Sequence, residues 1–267
     1  MVIKIMLDAG HFGKYNQSPA VREYYESDMN WKLHLYLRDE LLGYGFVVGQ
    51  TRTNKDKDLS LAARGKAAKG YDLLISLHSN AVGSRVDESV DHPVAFVQLN
   101  KSGDKIGRLL GDCVAEVMDT KQKAEVRTKR GNNGDYYGVL RGAASVNVTA
   151  VILEHSFHTN TRSTKWLMDD NNLKKMAAAE AKVIAEYFGV VKKTETIYRV
   201  QVGAYSVKSN STKILTKLKT DGYNGFVTKV GEYYKVQVGA FSIKDNADRL
   251  AKELKLKGYS TMIAKGC

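Results

Sequence analysis

The chain reads as an α/β protein: a mostly parallel sheet with helices on both faces, followed by a small α+β unit of split-βαβ type. Three observations predict this. Apolar runs of strand length (residues 2–7, 73–77 and 148–153) do not alternate with polar residues, which marks strands buried on both faces. Helix-period segments stand between these runs, and strand and helix in alternation build a parallel sheet. The last stretch of the chain then repeats one pattern twice.

The elements follow in order. Val2-Ile3-Lys4-Ile5-Met6-Leu7 is the first strand, with Lys4 the one interruption. A polar loop leads to a helix from about Glu26 to Leu42, whose Met29, Leu33, Tyr36, Leu37 and Leu41 recur every three or four positions and form one apolar stripe. Gly43 and Gly45 stop it. Phe46-Val47-Val48 is a short strand, Ser60 to Lys69 a helix, and Tyr71 to Leu77 a strand. Val94 to Leu99 is another strand and Asp104 to Met118 another helix. The strand ending at Leu153 precedes a long helix near Leu173 to Phe188.

This organisation predicts a first domain over residues 1–190, a charged linker over 191–196 and a second domain over 197–267. In the second, Tyr198-Arg199-Val200-Gln201-Val202-Gly203-Ala204-Tyr205-Ser206 returns 36 residues later as Tyr234-Lys235-Val236-Gln237-Val238-Gly239-Ala240-Phe241-Ser242. Each copy is followed by a helical pattern that ends at a Gly-Tyr pair, 222–223 and 258–259, and then by a further strand. Two copies are too few for a solenoid. They predict two β-α-β units closed into a four-stranded sheet with two helices on one face.

The hydrophobic share of 43% and charged share of 26% exclude disordered and membrane-embedded classes. A formal charge of +12 favours polyanionic partners without choosing among them. Cys113 and Cys267 form no CxxC pair, so no disulfide framework is expected and Cys113 reads as a small core residue. No stretch reaches the roughly 18 apolar residues of a membrane span. Met1 leads straight into a strand, so no signal peptide is read.

Three polar residues mark a candidate site. His11 follows the first apolar run, His78 the second and Glu154 the third. Ligands of open α/β sheets gather beyond the carboxyl ends of the strands, so the three converge on one place. A catalytic zinc ion takes three protein ligands and leaves a fourth position open. His11 and His78 supply two; Glu26, in the first turn of the first helix, and Glu23, three residues earlier, compete to be the third. Glu154 is left as general base, taking a proton from a water activated by the metal and handing it to a leaving amine. The reaction implied is hydrolysis of an amide or ester. Taken singly, each residue has a plainer reading: a structural histidine, a carboxylate at a helix N-terminus, or, for Glu154, a partner for Arg52, Arg64 or Arg141. His155 points away from the side Glu154 faces, and both it and His158 are supporting or substrate-contact candidates. His34 and His92 read as surface or packing residues.

These residues stand in recognisable motifs. Leu7-Asp8-Ala9-Gly10-His11-Phe12-Gly13 resembles the opening motif of zinc-dependent N-acetylmuramoyl-L-alanine amidases of type 3. Glu26-Ser27-Asp28-Met29-Asn30 is similar to that family's Glu-x-x-x-Asn element, which favours Glu26 over Glu23. Thr51-Arg52, Leu59 to Arg64, Asp72 to Ala81, and Val151-Ile152-Leu153-Glu154 with Ser156, Phe157 and Asn160 keep the family's order. The resemblance covers residues 1–190. It implies one zinc ion on His11, Glu26 and His78, Glu154 as catalytic carboxylate, and cleavage between N-acetylmuramic acid and L-alanine in peptidoglycan. Thr149 stands where the family commonly has proline, and His155 where a small residue is usual. The motif's second glycine after the first histidine is missing.

The repeat resembles a SPOR domain, a peptidoglycan-binding module, which implies glycan binding on the open sheet face. Strand alternation turns Val200, Val202, Val236 and Val238 toward the helices and Arg199, Gln201, Lys235 and Gln237 toward water, where they can reach sugar hydroxyls. An open four-stranded sheet with two helices is also the RNA-recognition architecture. The second copy lacks that architecture's aromatic-rich run, so no nucleic-acid partner is expected. The rival reading is a wall-binding protein with a vestigial enzyme fold, against which the intact candidate ligands speak. The missing signal peptide predicts synthesis in the cytoplasm and action on the wall after holin-type release or cell lysis, as for a phage endolysin or a mother-cell autolysin.

Overall fold

The computed structural model describes residues 2–55, 57–192 and 196–266. It divides into two compact units, Met1–Lys193 and Thr194–Cys267. Half of the expected linker, residues 193–195, and Cys267 lie outside the described residues.

In the first unit, β1 (Lys4–Ala9), α1 (Glu26–Tyr44), β2 (Val47–Gln50), α2 (Leu61–Lys66), β3 (Leu73–Asn80), β4 (Val94–Val97), α3 (Asp104–Met118), β5 (Glu125–Arg127), β6 (Arg130–Gly131), β7 (Gly134–Asp135), α4 (Gly138–Ala144), β8 (Thr149–Phe157), α5 (Thr161–Met168) and α6 (Asp170–Phe188) follow one another. Six strands form one sheet in the order β2-β1-β3-β8-β4-β5. The pairings of β1 with β2 and β3, of β3 with β8, and of β4 with β5 are parallel, while β4 runs antiparallel to β8.

Burial on both faces explains the unbroken apolar runs. Ile5, Leu7, Leu73, Ile75, Leu77, Val151 and Leu153 pack on one side against Leu33, Leu37 and Leu41 of α1, Ile106 and Leu110 of α3, and Met176 and Ile184 of α6. The intervening residues, Met6, Leu74, Ala150 and Ile152, pack on the other side against Val139, Leu140 and Ala143 of α4. Gly43 lies inside α1, and Gly45 alone ends it, with φ +88°. Ser60 caps α2 through its side chain. The β6–β7 hairpin, α4 and α5 are short elements in segments where no periodic pattern reveals them. Cys113 is half-buried on α3, and burial pushes its thiol up to about 12.

His78 and Glu154 follow the apolar runs but do not end the strands. β3 continues to Asn80 and β8 to Phe157, and the two residues are register partners on adjacent strands. The register shifts just beyond them, where Ser156 takes φ +69°. His34 is fully buried and His92 nearly so, which makes both packing residues and neither a surface one.

The second unit holds β9 (Ile197–Tyr205), α7 (Lys208–Thr220), β10 (Phe226–Val230), β11 (Tyr233–Phe241), α8 (Lys244–Leu256) and β12 (Met262–Gly266). Its antiparallel sheet has the order β10-β11-β9-β12. The two helices cover a core of Val200, Val202, Val236, Leu218, Ala251 and Leu254. Arg199, Lys235 and Gln237 are partly exposed as expected, whereas Gln201 is only 8% exposed. β9 is an interior strand, and Gln237 and Met262 flank Gln201 in register on either side. Among the described residues no helix is long and apolar enough to cross a membrane.

Candidate functional site

The site forms toward the carboxyl ends of β1, β3 and β8, beside the first turn of α1. His11 sits just past β1 in a left-handed conformation, φ +61°. Its carbonyl accepts hydrogen bonds from Arg52 (2.8 Å) and Arg64 (3.0 Å), which hold the turn from outside. Gly10 is required there, because a Cβ at that position would lie 2.3 Å from the His78 ring. Glu26, the first residue of α1, is buried beneath both histidines.

One ligand atom from each of His11, Glu26 and His78 lies within 4.8 Å of the other two. His11 Nε2 is 3.2 Å from Glu26 Oε2, and His78 Nδ1 is 2.8 Å from Glu26 Oε1. Tetrahedral zinc with bonds near 2.0–2.1 Å separates its ligand atoms by roughly 3.3 Å, so the spacing fits. Glu23 is exposed and lines a different groove with Lys14 and Lys32, which removes it as a ligand.

The hydrogen bonds behind His78 sharpen the fit. Ser76 Oγ lies 2.6 Å from Asp8 Oδ2 and donates its one proton there. It therefore accepts from His78 Nε2, 3.1 Å away. In the neutral ring that leaves the lone pair of Nδ1 aimed at the Glu26 carboxylate, two acceptors facing each other. A divalent cation between them resolves the conflict, and an outer partner on the far nitrogen is how metal-binding histidines are oriented. Glu26 is further fixed by Asn16 Nδ2 (2.6 Å) and the Ser79 amide (3.1 Å). Burial works to raise its pKa, but the two imidazoles of His11 and His78 beside it outweigh burial and hold it well below the usual carboxylate range.

Glu154 shares with these residues a cleft of about 770 Å³, also lined by Asn80, Tyr136, Tyr137 and His158. Its Oε2 is buried and, among the described residues, has no hydrogen-bond partner. Burial first, and the charge of Glu26 second, push its pKa well above the ordinary value. None of the arginines the sequence offered it is its partner. Arg52 and Arg64 hold Asp8 and the β1 turn, and Arg141 bonds the carbonyls of Asp135 and Tyr136. His155 turns away from the cleft to a buried pair with Glu180 (2.6 Å) and a contact to the His78 carbonyl (3.0 Å).

A family model described as N-acetylmuramoyl-L-alanine amidase matches residues 5–186, more than half of the chain. The chain belongs to that amidase family. A SPOR domain model matches residues 171–229 and 230–266, so the first match begins within α6. The chain is 27% identical over 226 residues to the N-acetylmuramoyl-L-alanine amidase CwlM of Bacillus licheniformis, covering 84% of this chain and 83% of that one. It is 27% identical over 230 residues to the sporulation-specific N-acetylmuramoyl-L-alanine amidase of Bacillus subtilis, with the same two coverages. In fold, the amidase unit is similar to the catalytic domain of CwlV from Paenibacillus polymyxa, with a TM-score of 0.60, 22% identity and coverage of 71% of this chain and 100% of that one. An N-acetylmuramoyl-L-alanine amidase from Clostridium difficile 630 gives a TM-score of 0.60 at 19% identity, covering 70% and 97%. The enzyme is thus a peptidoglycan amidase carrying a wall-binding module, and the vestigial-fold rival has no support.

Asp8 stands inside the opening motif, and its neighbours show why the amidase needs it. Burial alone would raise its pKa, but the Arg64 guanidinium and the hydroxyls of Ser76 and Thr51 outweigh burial and lower it. A carboxylate held low stabilises the fold at pH values above its unfolded pKa, near 3.9, and this contribution is lost as pH falls through the lower folded value. Asp8→Asn breaks a buried pair and is expected to remove about 3–5 kcal/mol at pH 7. Urea melts should show an unchanged gap between wild type and variant down to pH 5, closing below pH 4. A constant gap into strong acid would contradict the pairing.

Proposed function

We propose that this amidase is zinc-dependent, with one ion on His11, Glu26 and His78 and with Glu154 as general base, and that it cuts the amide between the lactyl group of N-acetylmuramic acid and L-alanine. What carries the reading is the convergence of two imidazoles and a buried carboxylate beside a second, unpartnered carboxylate in one cleft. When bound, zinc supplies Lewis acidity that polarises the scissile carbonyl and makes a water nucleophilic at neutral pH.

The chain's own residues do the rest. Glu154 takes the proton of the attacking water, holds it, and gives it to the departing amine. Its unpartnered, buried oxygen suits a group that must carry a proton between two steps. Arg52, Arg64, Asp8 and Ser76 keep the ligands in place. Purified walls incubated with the protein should release free amino groups without new reducing sugar; reducing ends instead would make it a glycosidase.

The second unit is proposed to bind glycan through Arg199, Gln201, Lys235 and Gln237, raising the local substrate concentration. Gln201 and Gln237 are register partners, and the buried Gln201 Oε1 has no hydrogen-bond partner among the described residues. Gln201→Ala with Gln237→Ala should weaken wall pull-down about five-fold or more, since each lost hydrogen bond is worth about 1 kcal/mol. Unchanged retention would remove the sheet from binding. The substrate puts the working enzyme at the cell wall, reached by holin-type release or by lysis of the producing cell, and the resemblance to a sporulation-specific relative favours the second route.

A further inference from the structure

His158 is a histidine of the cleft that the reaction above leaves unused. It lines the same cleft as Glu154 and the three ligands, yet it is 4% exposed. Its position is fixed by many contacts. The backbone amide bonds the Asn80 carbonyl (2.8 Å), and its own carbonyl accepts from Ser18 (2.5 Å) and Thr164 (3.0 Å). The ring is fixed as well. Nδ1 lies 3.1 Å from the Ser79 carbonyl and 2.9 Å from Ser79 Oγ, which in turn meets the hydroxyl of buried Tyr24 at 2.7 Å.

These partners settle the tautomer. A carbonyl only accepts, so Nδ1 carries the proton and donates it to Ser79, and in the neutral ring Nε2 is an acceptor. Burial lowers the His158 pKa, in keeping with a neutral imidazole. Nε2 has no hydrogen-bond partner among the described residues. His158 is also not part of the cluster that could hold the ion. Holding the strand end needs only Nδ1 and the backbone, so Nε2 is an oriented acceptor with nothing among the described residues to accept from.

We propose that His158 Nε2 accepts a hydrogen bond from the N–H of the scissile amide. The inference rests on the amidase reading. During attack the amide nitrogen becomes pyramidal and develops a lone pair. Anchoring its N–H on one side leaves that lone pair for the proton held by Glu154. The water oxygen bonds to the carbonyl carbon, the C–N bond breaks, and the products are the lactyl carboxylic acid and the free amine of L-alanine. His158 neither gains nor loses a proton; it orients the leaving group.

Two substitutions separate this role from a structural one. Gln can place an oxygen where Nε2 stands; Asn keeps a donor near Nδ1 and has no atom at Nε2. On a soluble muramoyl dipeptide, His158→Gln should keep most of kcat/KM. His158→Asn should lose about ten-fold or more, as expected for one lost hydrogen bond, with zinc content and melting temperature unchanged. Wild-type hydrolysis measured in parallel tests the amidase reading by itself. Asn matching wild type, Gln failing while Asn succeeds, or loss of zinc in His158→Asn would each overturn the proposal. Should neither variant fold, the zinc-loaded Glu154→Gln protein reads the same contact. It should bind the muramoyl dipeptide about ten-fold more tightly than an ester analogue with oxygen in place of the N–H, and equal affinity would overturn the assignment.

Discussion

Glu154→Gln is expected to lower kcat by about 10²–10⁴-fold, the usual contribution of a positioned general base, while the protein keeps its full complement of zinc. Gln preserves the shape of the side chain and removes only its capacity to take a proton. Stability should move the other way. Burial and the Glu26 charge hold the Glu154 proton above the ordinary carboxylate range. A carboxyl with a raised folded pKa makes the folded state bind protons more tightly than the unfolded one. The fold therefore loses stability as pH rises from about 4 through that folded value. Gln escapes this loss, so the metal-free variant should melt above the metal-free wild type at neutral pH and match it near pH 4. An active Glu154→Gln enzyme would end the role of Glu154 as base. Loss of zinc from an otherwise folded variant would reassign it as a ligand.

His78→Ala is expected to abolish detectable turnover and zinc retention together. His78 donates to Ser76 and faces Glu26, so its removal also leaves the buried Glu26 carboxylate with one fewer partner. Chelator treatment of the wild type should reproduce the loss of activity without the substitution, and added zinc should restore only the wild type. Thermal melts with and without chelator give a second measure, since an ion that binds the folded state alone raises its stability. An enzyme indifferent to chelation, with His78→Ala still active, would sink the metal reading.

The core of the fold was legible because burial leaves a periodic trace. The runs at 2–7, 73–77 and 148–153 are apolar on both faces, and the stripe of α1 repeats at helical spacing. The 36-residue repeat exposed the second unit for the same reason. The β6–β7 hairpin, α4 and α5 left no such trace, being too short for a period to develop. β4 also reads as one more strand of a parallel sheet, while its antiparallel pairing to β8 depends on a long-range neighbour. The exposure expected for Gln201 failed similarly: alternation says which face a residue occupies, but not how far its flanking strands cover it.

The chemical inventory was in the sequence: two histidines and a carboxylate placed where apolar runs give way, with a second carboxylate opening the first helix. Residue type limits what each group can donate, accept or ligate, and the apolar pattern brings their strands side by side. Only tertiary structure decided how those groups meet. It buried Glu26 under both imidazoles and left Glu23 in solvent, and it took Arg52 and Arg64 to the β1 turn, leaving Glu154 unpartnered. It also turned His155 toward Glu180 and His158 into the cleft. Those outcomes depend on differences of a few ångströms and on burial, which reverse the strength of a charge or a hydrogen bond, and such distances are set only when distant segments pack together.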